Sequence, residues 1–126
     1  MGNITIILIT LIALAGALGN APDEVQSVYS EAISSGRYLA TAGDLRSISN
    51  MLDYEYLRRG RYPRQDRFEH WMSKNFKESQ IKEITHDHWD RPLRYVVAKD
   101  LQSYTLTSYG PDGIADNKDD LYVTGP

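Results

Sequence analysis

The first part of the chain differs from the rest in its hydrophobic pattern. Residues 4–18, ITIILITLIALAGAL, are uncharged and almost wholly apolar, and the run reaches residue 21 if small and polar residues at its end are included. A membrane-spanning helix usually needs about 20 apolar residues, with a range near 17–25, so this run has a borderline length. We predict that residues 1–21 form a membrane anchor or signal segment, and that residues 22–126 form a separate domain.

Two interpretations of this segment stay open. Ala17 and Gly19 offer small residues at the spacing that signal peptidase recognises, but no Lys or Arg precedes the apolar run. Pro22, followed by Asp23 and Glu24, favours a retained anchor that continues into a helix, because acidic residues suit the first helical turn. In both cases we expect the domain that follows to lie outside the cytoplasm.

A helical period follows the apolar run. Residues 23–56 contain no proline. Apolar residues recur there at the spacing of one helical face: Leu45, Ile48, Leu52 and Tyr56. The basic pair and glycine at residues 58–60 are typical of a helix end. The pattern therefore predicts one long helix.

Glycines and charges refine this prediction. Gly36 and Gly43 each weaken a helix by up to about 1 kcal/mol, so one of them is a candidate break, with Asp44 as the cap of a new start. The polar residues opposite the apolar face are predicted to be solvated; they are Arg46, Asp53, Glu55 and Arg58.

Shorter elements are predicted after Pro63. Four apolar residues within residues 65–78 indicate a short amphipathic helix whose side chains are core contacts: Phe68, Trp71, Met72 and Phe76. Residues 93–97 and 104–107 are rich in β-forming residues and predict an antiparallel hairpin, with its turn at Lys99 and Asp100. Residues 121–123 supply a short last strand. The predicted fold class is α+β: a long N-terminal helix, with the apolar anchor at its start, packed on a small antiparallel sheet.

Composition narrows the classes of function. The formal net charge of −3 gives no basic footprint for nucleic acid, and the absence of cysteine excludes disulfides and thiolate chemistry. We find no nucleophile–base pair and no phosphate-binding loop, so we expect no small-molecule substrate, no catalytic residues and no enzyme activity. A zinc enzyme using His86, His88 and Asp90, with His70, is an alternative whose ligand spacing matches no strong motif.

The acidic loop, residues 110–121, is the candidate for metal binding. It opens on a Pro-Asp-Gly turn and carries four aspartates: Asp112, Asp116, Asp119 and Asp120. Unpaired carboxylates brought together repel one another, and Ca2+, which takes six to eight oxygen ligands, relieves that repulsion. Backbone carbonyls near Tyr109 add oxygens. The spacing is not that of an EF-hand, and from composition alone a solvated surface turn is the alternative.

Several ordered blocks resemble the major pseudopilins of bacterial type II secretion. Residues 87–95, DHWDRPLRY, are similar to the family's D-P-W-G-x-P-Y-x-Y segment. Residues 104–113, YTLTSYGPDG, resemble the strand and turn that follow it, and residues 119–121 resemble its closing Asp-Asp-Ile. Upstream, residues 60–63, GRYP, resemble the Gly-x-Tyr-Pro turn after the family's helix.

The resemblance implies a function and a set of metal ligands. It implies that Asp112 and Asp119 bind Ca2+, with Asp120 as further support and backbone carbonyls near Tyr109. It also implies a structural subunit of a type II secretion or type IV pilus-like filament, assembled with copies of itself or with other pseudopilins. Residues 4–21 would hold it in the cell inner membrane, with the soluble domain in the periplasm.

Two residues depart from the family's pattern. Thr5 stands where the family has a glutamate if Met1 is counted as the first mature residue, and Asp90 replaces the glycine usual after the tryptophan. The glutamate is the usual charge for docking between subunits. A secreted calcium-binding module with no filament role, released by cleavage of the N-terminal segment, is therefore the alternative function.

Overall fold

A computed structural model describes residues 22–78 and 82–126 of the chain. Its elements are, in order, helix α1 (Asp23–Arg59), a 3-10 turn (Gln65–Arg67), helix α2 (Phe68–Asn75) and strands β1 (Arg94–Val97), β2 (Tyr104–Ser108) and β3 (Leu121–Gly125). The long helix packed on a small antiparallel sheet confirms the predicted α+β class.

The predicted anchor lies outside the described residues. Within the part of the chain that the structure describes, no helix is long and apolar enough to cross a membrane. Contacts within the chain divide it into two units, with the boundary between Ser35 and Gly36. The described part of the first unit, residues 22–35, is almost entirely helical. The second unit contains α2, the sheet and the acidic loop.

Helix α1 has the charges that suit its two ends. Asp23 and Glu24 lie in its first turn, and Arg58 and Arg59 in its last, where each charge compensates the helix dipole. The helix ends at Gly60, which has a φ of 72° and donates its N–H to the Tyr56 carbonyl at 2.7 Å.

Two expectations about α1 are wrong. The helix continues through Gly36 and Gly43 without a break, because an apolar face packed on the core outweighs the small helix-forming deficit of glycine. Glu55 is not solvated but 7% exposed. Its carboxylate is held by Arg59 at 2.7 Å and Arg58 at 2.9 Å, and this pairing compensates the burial of the charge.

The sheet is a simple antiparallel meander in the order β1-β2-β3. Tyr95 pairs with Leu106, and Leu106 pairs with Val123. The β1–β2 hairpin closes through Ala98 N–H and the Ser103 carbonyl at 2.9 Å, around the predicted turn. The strand ends differ from the sequence-based boundaries by one or two residues, since only backbone pairing defines them.

The core lies between α1, α2 and one face of the sheet. Leu45, Ile48 and Leu52 of α1 pack in one buried cluster with Tyr104 and Leu106 of β2. The predicted helix over residues 65–78 is shorter, since a 3-10 turn precedes it and it ends at Asn75. The four apolar residues of this segment are core contacts as predicted: Phe68, Trp71 and Met72 are buried, and Phe76 packs against them.

Candidate functional site

The acidic loop connects two neighbouring antiparallel strands. Ser108, at the end of β2, pairs with Leu121, at the start of β3, so the loop begins and ends at one sheet position. Gly110 has a φ of 69°, and a Cβ atom added to it would overlap the carbonyl oxygen of Asp119. The two backbone segments at the base of the loop are therefore in direct contact.

A buried carboxylate fixes the entrance of the loop. Asp87 is only 1% exposed. Its Oδ1 accepts the backbone N–H groups of Trp89 and Arg91, both at 3.0 Å. Its Oδ2 accepts the hydroxyl of Ser108 at 2.7 Å, and the Ser108 oxygen in turn accepts the N–H of Gly110 at 3.3 Å. A buried carboxylate with three donors is satisfied, and it ties residues 87–91 to the loop.

Arg91 supplies a positive charge to the loop. Its Nη1 donates to the carbonyl oxygens of Gly110 at 2.8 Å and Pro111 at 2.9 Å. Its side chain also lies close under Gly113, where an added Cβ would be 2.7 Å from Nε. Gly113 has a φ of 68°, so its backbone conformation favours glycine, and an added Cβ would also displace the end of the Arg91 side chain.

Asp112 is held inside the loop by hydrogen bonds. Its Oδ1 accepts the N–H of Ile114 at 3.0 Å, and its Oδ2 accepts the side-chain amide of Asn117. The Ile114 N–H is the main cause that lowers the pKa of Asp112, with smaller contributions from Asn117, a hydrogen bond with Asp119 and the charge of Arg91. The carboxylates of Asp112 and Asp119 are thus neighbours.

Asp120 has one satisfied and one unsatisfied oxygen. Its Oδ2 accepts the backbone N–H of Asp116 at 2.7 Å. Its Oδ1 is buried and has no hydrogen-bond partner among residues 22–78 and 82–126. A buried carboxylate oxygen without a donor costs free energy, and such an atom in a native fold requires an explanation. A cation bound by the loop is one explanation.

Helix α1 contacts the loop through Tyr38. The pKa of the Tyr38 hydroxyl is raised, first by burial and then by the charge of Asp119 and a hydrogen bond with it. The Tyr38 ring also meets the edge of Trp89 at a centroid distance of 4.9 Å. This contact places the acidic loop and residues 87–90, here called the Trp89 turn, at the same level of the helix.

The structure brings some of the predicted ligands together and not others. Asp112 and Asp119 are neighbours, and Asp120 contacts the loop backbone. Tyr109 is half-buried at the loop entrance. Within residues 22–78 and 82–126, no three His, Cys, Asp or Glu side chains form a group that would hold a metal. Calcium binding therefore stays a prediction.

The histidines of the alternative zinc site have other neighbours. His88 Nε2 lies 3.0 Å from Asp44 Oδ2 of α1, and Lys82 Nζ lies 3.2 Å from the same oxygen. His86 Nδ1 lies 3.7 Å from Glu83. His70 is exposed on α2. These contacts give His88 a role in joining the segment after α2 to the long helix.

Sequence reasoning missed three residues that shape the loop. Arg91 donates a hydrogen bond to Gly110, which lies 19 positions later in the chain, and no local sequence pattern predicts such a contact. Ser108 is one of the buried residues of β2, where buried and partly exposed positions alternate. Continuing this alternation from Tyr104 and Leu106 would have predicted that Ser108 is buried. Tyr38 is one of nine tyrosines in the chain, and its contact with the loop depends on how the helix packs.

Comparison with known proteins identifies one family. The family model described as "Type II secretion system (T2SS), protein G" matches residues 28–124. This range includes most of α1, strands β1 and β2, the acidic loop and all of β3 except Gly125. No significant match is found among curated proteins or among solved structures.

Proposed function

Because the chain belongs to the family of type II secretion system protein G, the major pseudopilin, we propose that it is a structural subunit of a pseudopilus in that secretion system. The family match over residues 28–124 is the observation that carries this proposal. The subunit assembles with copies of itself or with other pseudopilins. Residues 4–21 anchor it in the inner membrane, and the domain from residue 22 onward lies in the periplasm.

The surface of α1 supports a role in assembly. Large apolar side chains are exposed along most of its length: Val25, Val28, Ile33, Leu39, Tyr54 and Leu57. Single exposed apolar residues are common on soluble monomers, whereas a series along one helix indicates contact with another protein or with a membrane. Packing of α1 against the helices of neighbouring subunits would bury these side chains.

Three features of the acidic loop support its stabilisation by calcium. The Asp112 and Asp119 side chains lie within hydrogen-bond reach of each other. One buried oxygen of Asp120 lacks a donor. Carboxylate and carbonyl oxygens are the ligands that Ca2+ prefers. Asp112, Asp119, Asp120 and a carbonyl near Tyr109 would hold the ion. The bound ion would supply positive charge to these carboxylates and a partner for the free Asp120 oxygen.

Secretion is the test of the subunit role. Deletion of the gene in the native host should leave proteins that normally cross the outer membrane in the periplasm, and the full chain should restore their export. Export that continues unchanged in the deletion strain would refute the proposal.

Mass spectrometry of the native N-terminus distinguishes the anchored subunit from the alternative, a secreted module. Cleavage after Gly19 or Ala21 favours the secreted module, and retention of the apolar segment favours the anchored subunit.

Calcium binding is tested by direct titration of the full chain. We expect saturable binding of Ca2+ that is lost or weakened at least about tenfold, or 1.4 kcal/mol, in Asp112→Ala. Asp100→Ala is the matched control, because Asp100 is exposed and lies in the hairpin turn, outside the loop. Absence of binding by the wild type, or stoichiometric zinc in its place, would refute the calcium site.

A further inference from the structure

A basic cleft lies beyond the C-terminal end of α1. Its volume is about 420 Å³, and it is lined by five cationic residues, Arg59, Arg61, Arg64, Arg67 and Lys74, together with His70. They come from the end of α1, the segment after it, the 3-10 turn and α2. The chain as a whole carries a net charge of −3, so this concentration of positive charge is local.

Three of these cations have no acidic partner. Arg59 is paired with Glu55 at 2.7 Å, and Arg64 with Asp66 at 3.1 Å. Arg61, Arg67 and Lys74 are exposed and form no ion pair with any described residue. Like charges held close together raise the energy of the isolated subunit, and a bound anion relieves it.

The cleft already binds one carboxylate of the chain itself. Glu55 lines it and is held by Arg58 and Arg59. Trp71 also lines the cleft, and its Nε1–H is buried without an acceptor in the part of the chain that the structure describes. Guanidinium groups bind carboxylates in a fixed geometry with charge-assisted hydrogen bonds. The chemistry of the cleft therefore suits a second, external carboxylate group.

The same subunit presents free carboxylates elsewhere on its surface. Asp90 and Asp116 are exposed, and their side chains form no hydrogen bond or ion pair with a described residue. Neither belongs to the proposed calcium ligands. Asp90 follows Trp89, and Asp116 lies in the acidic loop, so both are near the level of Tyr38 on α1.

Distance prevents these carboxylates from reaching the cleft of their own subunit. Tyr38 and Arg59 lie 21 residues apart on one helix, which corresponds to roughly 30 Å along its axis at 1.5 Å per residue. An acidic surface and a basic cleft that far apart on one molecule can meet only between copies. Copies joined head to tail through them form an open filament when the rotation between neighbours does not close a ring.

We propose that the basic cleft of one subunit receives the Asp90 and Asp116 surface of a second copy of this chain. Arg61, Arg67 and Lys74 supply the free positive charges, and the partner copy supplies the two carboxylates. This contact rests on the proposed role as a filament subunit and adds a specific electrostatic contact to packing through α1. It remains compatible with calcium, because the ion uses other aspartates.

Cysteine cross-linking of the full chain in membranes tests the contact. The chain contains no cysteine, so each variant carries a single thiol. Copies with Arg67→Cys and copies with Asp116→Cys are produced together. We expect a cross-linked dimer of the two, and its loss when Arg61→Glu and Lys74→Glu are added to the first copy. Arg94→Cys paired with Asp116→Cys is the control, since Arg94 is an exposed cation of β1 outside the cleft.

A second pair, Lys74→Cys with Asp90→Cys, repeats the test if either first variant fails to accumulate. Sedimentation of the membrane-extracted copies reports assembly independently. Copies that sediment as an assembly but form neither cross-link refute the contact and leave the subunit role intact. Copies that do not assemble refute both. Cross-linking of the cleft cysteine only to a different protein also refutes it, because the proposed partner is a copy of this chain.

Discussion

The carbonyl oxygen of Asp119 occupies the space into which a side chain on Gly110 would project. The two residues are nine positions apart, at the two ends of the acidic loop, and Gly110 has a φ of 69°. Both the contact and the left-handed backbone therefore require glycine at this position. The loop closes at its base through backbone packing, and this closure brings the carboxylates of Asp112 and Asp119 together.

Replacement of Gly110 tests this closure. Gly110→Ala should lower the free energy of unfolding by at least about 2 kcal/mol, because a left-handed residue with a Cβ costs about 1–2 kcal/mol and the overlap adds to it. Gly43→Ala is the control: no atom lies within 4 Å of its added Cβ, and alanine in a helix stabilises by about 0.5–1 kcal/mol. Chemical denaturation measures both. Equal effects of the two substitutions would show that the loop is open.

The buried carboxylate of Asp87 should contribute strongly to stability. Asp87→Ala removes the acceptor for two backbone N–H groups and for the Ser108 hydroxyl. Loss of a buried, charged hydrogen-bond partner costs about 3 kcal/mol or more. Asp100→Ala removes an exposed carboxylate that accepts one N–H, and it should cost less than about 1 kcal/mol. A similar midpoint of denaturation for the two variants would contradict this role of Asp87.

Arg91 should couple the Trp89 turn to the acidic loop. Arg91→Met removes both hydrogen bonds to the loop carbonyls and should destabilise the chain by about 1–3 kcal/mol. It should also raise the pKa of Asp112, because the Arg91 charge is one of the causes that lower it. NMR titration of the Asp112 carboxyl measures that change. Arg94→Met, an exposed strand position, should leave both quantities nearly unchanged; an equal effect of the two would contradict the coupling.

The stability of the fold should fall at alkaline pH. Burial is the main cause that raises the pKa of Tyr62, Tyr95 and Tyr104 above the ordinary value of 10.0. A group whose pKa is raised by folding contributes full stability below its unfolded pKa, and that contribution is lost as the pH rises through the folded value. Tyrosinate absorbance should therefore show late titration of these three, coupled to unfolding. Titration of all nine tyrosines near pH 10 in a folded chain would contradict it.

The sequence predicted most of the architecture because its strongest signals are local. The apolar spacing of Leu45, Ile48 and Leu52 follows the helical period, and these residues are the buried face of α1. The alternating pattern of β2 likewise places Tyr104 and Leu106 inward. Such patterns arise from secondary structure alone, so they can be recognised in the sequence without knowledge of the tertiary contacts.

The features that sequence reasoning missed depend on contacts between distant segments. Glu55 has the position of a solvated residue on α1, and only the two arginines that hold it explain its burial. The basic cleft is lined by residues of both α1 and α2. From the sequence alone, the basic pair Arg58 and Arg59 indicates only the end of a helix. The acidic loop was located from its composition, but its contact with Arg91 required the fold.

The melting temperature of the full chain with calcium and with chelator tests the central claim about the acidic loop most directly. Calcium at 100 times its dissociation constant should stabilise the folded form by about 2.7 kcal/mol, which raises the midpoint by roughly 10–20 °C for a domain of this size. Asp112→Ala should reduce or abolish that increase, and Asp100→Ala should retain it. A midpoint that is the same with calcium and with chelator, in both the wild type and Asp112→Ala, would contradict calcium stabilisation of the loop.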